Sequence, residues 1–99
     1  MTEYQYIIRP LARRNIRQFY YNVAKKYRHT YSLELMHKNI DDALQAMYDI
    51  EKTLLTRKPT LERWQGYHMA NTDKWYYAYI IVDDVIIVLD ACHAQNMHE

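Results

Sequence analysis

Residues 74–93 read KWYYAYIIVDDVIIVLDACH. Asp83-Asp84 is the one polar break in a run of strand formers from Trp75 to Leu89. Tyr, Trp, Ile and Val suit a pleated, half-buried surface, and an Asp pair suits a tight turn. The stretch therefore predicts two antiparallel strands joined by a short hairpin. With Asp83 and Asp84 as a two-residue loop, Val82 opposes Val85, Ile80 opposes Ile87, Tyr76 opposes Ala91 and Lys74 opposes His93. In that register Lys74, Tyr76, Ala78, His93 and Gln95 share one face. Trp75, Tyr77, Tyr79, Ile81, Ile86, Val88 and Asp90 share the other, which is the face expected beneath helices. Asp90 then needs a cationic partner, and an arginine of the first helix is the natural choice. A loop of odd length would overturn the assignment. A lone hairpin is marginal in water, so more strands and a helical cover are required.

The rest of the chain offers both. Residues 3–9 (EYQYIIR) alternate as a short strand, and Pro10 suits the first turn of a helix that follows. Over residues 11–28, Ile16, Phe19, Tyr20, Val23 and Tyr27 form one apolar stripe at helical spacing, with Arg13, Arg14, Arg17 and Lys25 largely off it. Ser32 is positioned as an N-cap, with Glu34 in the first turn where the helix dipole favours an anion. Met36, Ile40, Leu44, Met47, Ile50 and Leu54 step by three or four, predicting a second helix to about residue 55. Arg57, Lys58 and Pro59 then close it. Residues 63–70 (RWQGYHMA) read as a strand whose Gly66 marks a bulge or a close backbone approach, and 71–73 as a turn. The order is β-α-α-β-β-β. It predicts one α+β domain over residues 1–99, with a helix hairpin packed on one face of a largely antiparallel sheet and the other face open.

Composition narrows the function classes. Ninety-nine residues carry a net charge of only +1, so bulk charge does not announce a nucleic-acid binder. The apolar share of 49% and the mean hydropathy of −0.56 agree once the 11 tyrosines are counted. The charges are segregated. Residues 4–33 hold no acid but seven cations, Arg9, Arg13, Arg14, Arg17, Lys25, Lys26 and Arg28, while 34–51 turn acidic through Asp41, Asp42 and Asp49. Two complementary solvated helix faces are the commoner cause of such a pattern, and a basic surface for an anionic partner is the sharper one. A single cysteine, Cys92, excludes an internal disulfide and suits a reducing cytoplasm. No stretch resembles a signal peptide or a membrane span.

The five histidines lack zinc-ligand spacing, so no metal is expected. The chain has no Gly-rich phosphate loop, no nucleophile elbow and no H-E-x-x-H, so no cofactor is expected either. Cys92 on a strand reads as a small buried hydrophobe. What remains is Arg63, Lys74, Tyr76 and His93, with Arg57 and Lys58 nearby and Gln95 and Asn96 just beyond His93. Cations, a phenol and an imidazole on an open sheet can hold phosphate, stack a base and move protons. Metal-free RNA cleavage by in-line attack of a 2′-hydroxyl needs such groups around the pentacoordinate phosphate. Tyrosines and lysines also occur on exposed sheets for solubility alone.

The element order, the basic helix start Pro10-Leu11-Ala12-Arg13-Arg14 and the ending YAYIIVDDVIIVLDACHAQN resemble the RelE/ParE superfamily of bacterial type II toxins. Leu89, His93, Gln95 and Asn96 loosely match the Leu-x-x-x-His-x-x-x-(Asp/Asn)-like stretch that ends the apolar strand there. The resemblance spans nearly the whole chain. It implies a cytoplasmic toxin neutralised by a cognate antitoxin and acting either on mRNA at the ribosome or on DNA gyrase, with a homodimer or a toxin–antitoxin hetero-oligomer as its assembly. Read as a metal-independent endoribonuclease, the chain would use the group Arg63, Lys74, Tyr76 and His93 for catalysis. His93 would be acid or base, and Tyr76 stands where nuclease members carry an arginine. Arg57, Lys58, Gln95 and Asn96 would assist binding. A non-enzymatic gyrase inhibitor and a degenerate protein-interaction module are the alternatives.

Overall fold

A computed structural model of the chain describes residues 4–53, 61–72 and 74–97. Four strands, β1 (Gln5–Ile8), β2 (His68–Thr72), β3 (Trp75–Val82) and β4 (Val85–His93), form one sheet in the order β1-β4-β3-β2. The β2–β3 and β3–β4 pairs are antiparallel, and β1 lies parallel to β4 at the other edge. Two helices, α1 (Pro10–Lys26) and α2 (Leu33–Ala46), cover one face. The expected α+β architecture, with a helix pair on a largely antiparallel sheet, is present.

Each element has a local cause. Pro10 opens α1, where its missing N–H costs nothing. The Ser32 hydroxyl accepts the Leu35 amide N–H at 3.1 Å and caps α2. Ala12, Ile16 and Tyr20 of α1 and Met36, Ile40 and Ala43 of α2 form the buried stripes. They meet Trp75, Tyr77, Tyr79, Ile86, Val88 and Ala91 from the sheet. Polar pins run through this core. The Tyr77 hydroxyl donates to the Ala43 carbonyl at 2.8 Å, and the Trp75 indole N–H donates to the Tyr20 hydroxyl at 3.0 Å. Burial pushes the Tyr77 phenol up to about 12, so it stays a donor at any physiological pH.

Several expectations need correction. The second helix leaves α geometry after Ala46 and continues as a 3₁₀ helix, Met47–Thr53. The Met47 and Ile50 side chains still reach the core from it. Arg57 and Lys58 lie outside the described residues. Residues 63–70 are not one strand: Glu62–Trp64 is a short 3₁₀ helix and β2 begins only at His68. Asn71 and Thr72 belong to β2 rather than to a turn. Gly66 marks neither a bulge nor a close approach. It adopts φ +91°, which turns the chain into β2, and the space around it is open.

The hairpin register is half right. Val82 opposes Val85 and Ile80 opposes Ile87 as expected. A β-bulge then intervenes: Tyr79 pairs with Val88 but Ala78 pairs with Asp90, leaving Leu89 as the extra residue. Beyond it every partner shifts by one. Tyr77 opposes Ala91, Tyr76 opposes Cys92 and Trp75, not Lys74, opposes His93. The shift carries His93 to the helix side, while Asp90, now opposite Ala78, reaches both Asn15 of α1 and Trp64 on the other face. That second face is not wholly open, because Leu61 and Trp64 pack there against Met69, Ala78 and Cys92.

Candidate functional site

The bulge also builds the site. His93, brought to the helix side, lies flat on Phe19 of α1 with ring centroids 4.1 Å apart and planes 9° apart. Trp75 meets the same imidazole edge-on at 5.3 Å and Phe19 at 5.5 Å. Such ring contacts are worth about 0.5–1.5 kcal/mol each beyond their burial. His93 Nδ1 accepts the Gln95 backbone N–H at 3.2 Å and so caps the 3₁₀ turn Ala94–Asn96. With Nδ1 occupied as an acceptor, the neutral ring carries its proton on Nε2. Burial and then the Lys74 ammonium push the imidazole below its ordinary 6.5. Both effects keep it neutral at physiological pH.

Two recesses meet at this histidine. One, of about 520 Å³, is lined by Phe19, Tyr20, Asn22, Lys26, Tyr27, Tyr31, Asn39, Lys74, His93, Gln95 and Asn96, among others. The other, of about 290 Å³, is lined by Asn15, Gln18, Phe19, Asn22, Arg63, Trp75, Cys92, His93 and Asn96, among others. Phe19, Asn22, His93 and Asn96 are common to both. Lys74 therefore flanks the ring stack on one side and Arg63 on the other. Lys26 stands at 5.4 Å over the Tyr27 ring. Among the described residues, neither Lys26 nor Lys74 has a salt-bridge partner.

Of the residues singled out from sequence, Arg63, Lys74, His93, Gln95 and Asn96 are brought together here. Tyr76 is not: it faces the other way, beside Cys92 and the Leu61–Trp64 cluster. Asp90 is buried, but no arginine of α1 meets it. Its Oδ1 accepts from Asn15 Nδ2 of α1 at 2.7 Å and its Oδ2 accepts the Trp64 indole N–H at 2.8 Å. Arg63 Nε approaches Oδ2 at 3.5 Å, while its guanidinium lies 5.8 Å from the Trp64 ring. Arg63 is thus anchored at the site's rim, with a side chain still 53% exposed. Burial raises the Cys92 thiol, with Arg63 opposing the effect, so the thiol is protonated and unreactive near neutrality.

The sequence reading missed Asn15, Gln18, Phe19, Asn22 and Lys26. They recur at helical spacing along the edge of the apolar stripe of α1, where amides and one exposed lysine interrupt the arginines. That amide row was the available signal. Chemically, the groove offers two flanking cations, a stacked aromatic–imidazole platform and several amides able to read hydrogen-bonding edges. No protein-family model matches the chain, and no curated protein or solved structure matches it.

Proposed function

We propose that this chain is a toxin of the RelE/ParE kind that holds single-stranded RNA in the groove at His93 and is silenced by a cognate antitoxin. One observation carries the reading: the Phe19–His93 stack lies between Lys74 on one side and Arg63 on the other. Cations track a phosphate backbone, and an exposed ring edge with amides beside it suits a splayed base. His93, with its proton on Nε2, donates to a phosphate oxygen. Lys74 and Arg63 compensate the phosphate charge, and Gln95 and Asn96 supply polar contacts.

The antitoxin's place is the groove between the helices. Tyr21, Ala24, Leu33 and Met36 give a recess of about 550 Å³ an apolar floor, rimmed by Lys25 and Arg28. An amphipathic segment with acidic flanks would bury Tyr21 and Leu33, which are 46% and 67% exposed.

A second reading is a non-enzymatic toxin that binds DNA gyrase, and two observations favour it over cleavage. A general base needs a free Nε2 lone pair, which requires the proton on Nδ1, yet Nδ1 already accepts from Gln95. Tyr76, the intended phenol, stands on the opposite face.

The test is a ribosome-dependent mRNA cleavage assay with wild type and His93→Ala, run beside anisotropy titrations of short single-stranded RNA. Cleavage lost in His93→Ala supports an endoribonuclease. RNA binding without cleavage supports the groove but not the chemistry. Absence of both sinks the RNA reading, and inhibition of gyrase supercoiling by the purified protein would then support the second.

A further inference from the structure

On the sheet face away from the helices, the hairpin end is aliphatic and partly exposed. Tyr6 and Ile8 pack on the helix side, so Ile7 points away and is 48% exposed. Ile7 pairs with Ile87 of β4, and Ile87 with Ile80 of β3, making one row across three strands. Val85 and Val82 form the next row, and Val82 is 50% exposed. The Leu61–Trp64 cluster covers this face only farther along β3 and β4, and none of the five aliphatics belongs to either buried cluster; Ile80, Val85 and Ile87 are half-buried among their neighbours. Contiguous branched side chains left in water on a flat surface mark a contact face.

Its charges are arranged end to end. The Gln5 amide N–H donates to the Asp84 carbonyl at 2.8 Å, which fixes Asp84 at one end of the patch. The Arg9 amide N–H donates to the Val88 carbonyl at 2.9 Å, which fixes Arg9 at the other, about 13 Å along β1. Arg9 and Arg63 there line one recess beside Leu89 and Trp64. A surface that is anionic at one end, cationic at the other and apolar between is complementary to itself under a two-fold rotation.

We propose that this face is a dimer interface that a second copy of the chain occupies, turned about a two-fold axis that lies in the plane of the interface and crosses the strands near Ile87. Each aliphatic patch covers the other, and Asp84 of each copy meets Arg9 of its partner at both ends. The proposal is independent of the RNA groove, which lies on the helix side. The core of the patch is small beside a standard interface of about 800 Å² per partner, so the association is reversible and concentration-dependent.

Sedimentation velocity over a concentration series tests it. Wild type sediments as a monomer–dimer equilibrium. Ile7→Glu and Val82→Lys, both at exposed positions, weaken it by about tenfold or more while leaving the circular dichroism spectrum and melting temperature unchanged. Asp84→Lys alone and Arg9→Glu alone each weaken self-association, because like charges then meet at both ends. Mixing these two variants restores dimers, since the introduced lysine of one copy meets the introduced glutamate of the other at one end and the native pair forms at the opposite end. A wild type that stays monomeric at its solubility limit leaves the face to a different protein and overturns the proposal. So does a dimer that survives Ile7→Glu and Val82→Lys, or a mixture of the charge variants that fails to associate.

Discussion

Phe19 and His93 lie face to face, one from the middle of α1 and the other from the last residue of β4. The contact fixes the plane of the imidazole, while the Gln95 amide fixes which nitrogen faces outward. Phe19→Leu keeps apolar bulk but removes the ring. It is expected to loosen the imidazole, reduce the ring-current shift of the His93 protons in NMR spectra to what Trp75 alone supplies and weaken RNA binding by up to about tenfold. Unchanged His93 resonances in this variant would show that the stack is not formed in solution.

Lys74 should contribute to binding mainly through charge. If the ammonium neutralises one phosphate, Lys74→Ala lowers RNA affinity and also flattens its salt dependence, by about 0.7 in the slope of log K against log salt. An anisotropy titration at several salt concentrations reads both. Loss of affinity with an unchanged slope would mean that Lys74 shapes the groove without touching phosphate. Because Lys74 is exposed, the substitution should leave stability nearly untouched.

Asp90 holds three elements together, so its removal should be costly. Asp90→Ala leaves the amide of Asn15 and the indole N–H of Trp64 without their acceptor in a buried place. The expected loss is on the order of 3 kcal/mol, measured by urea denaturation. Arg63→Ala should cost less than about 1 kcal/mol, because its contact with Asp90 is long and half-exposed. Equal losses from the two substitutions would mean that the ion pair, not the Trp64 and Asn15 bonds, fastens Asp90.

His93 sets a pH dependence whose sign follows from its lowered pKa. The unfolded chain binds a proton near 6.5, whereas the folded chain resists doing so until lower pH. The contribution of the neutral, capped ring is fully present above 6.5 and is lost as pH falls from 6.5 through the folded-state value. Melting temperatures between pH 8 and pH 5 should therefore fall more steeply in wild type than in His93→Gln, over a range set roughly by the ordinary histidine value. Parallel curves would remove His93 as the source.

Gly66 is constrained by backbone, not by space. With φ at +91° and open surroundings, Gly66→Ala should cost about 1–2 kcal/mol and Gly66→Asn less, since Asn tolerates positive φ better. Denaturant midpoints of the two variants give the comparison. An Ala variant as stable as wild type would mean that the turn relaxes out of the left-handed region.

Period and punctuation in the sequence determined the two helices, the Ser32 cap, the Asp83-Asp84 hairpin and the choice of Trp75, Tyr77, Tyr79, Ile86 and Val88 as core. These are local effects: a stripe at helical spacing or an alternation at strand spacing has one face to bury, and the neighbouring residues say so. The parallel placement of β1 beside β4 and the bulge at Leu89 were decided by tertiary structure. No glycine or proline marks the bulge. It satisfies the buried carboxylate of Asp90, whose partners Asn15 and Trp64 lie 75 and 26 residues away. One inserted residue reverses the facing of everything after it, so it sent His93 to Phe19 and left Tyr76 behind. The residue types of the candidate site were legible in the sequence. Which of them meet was not, because that depended on a polar bond made across the fold.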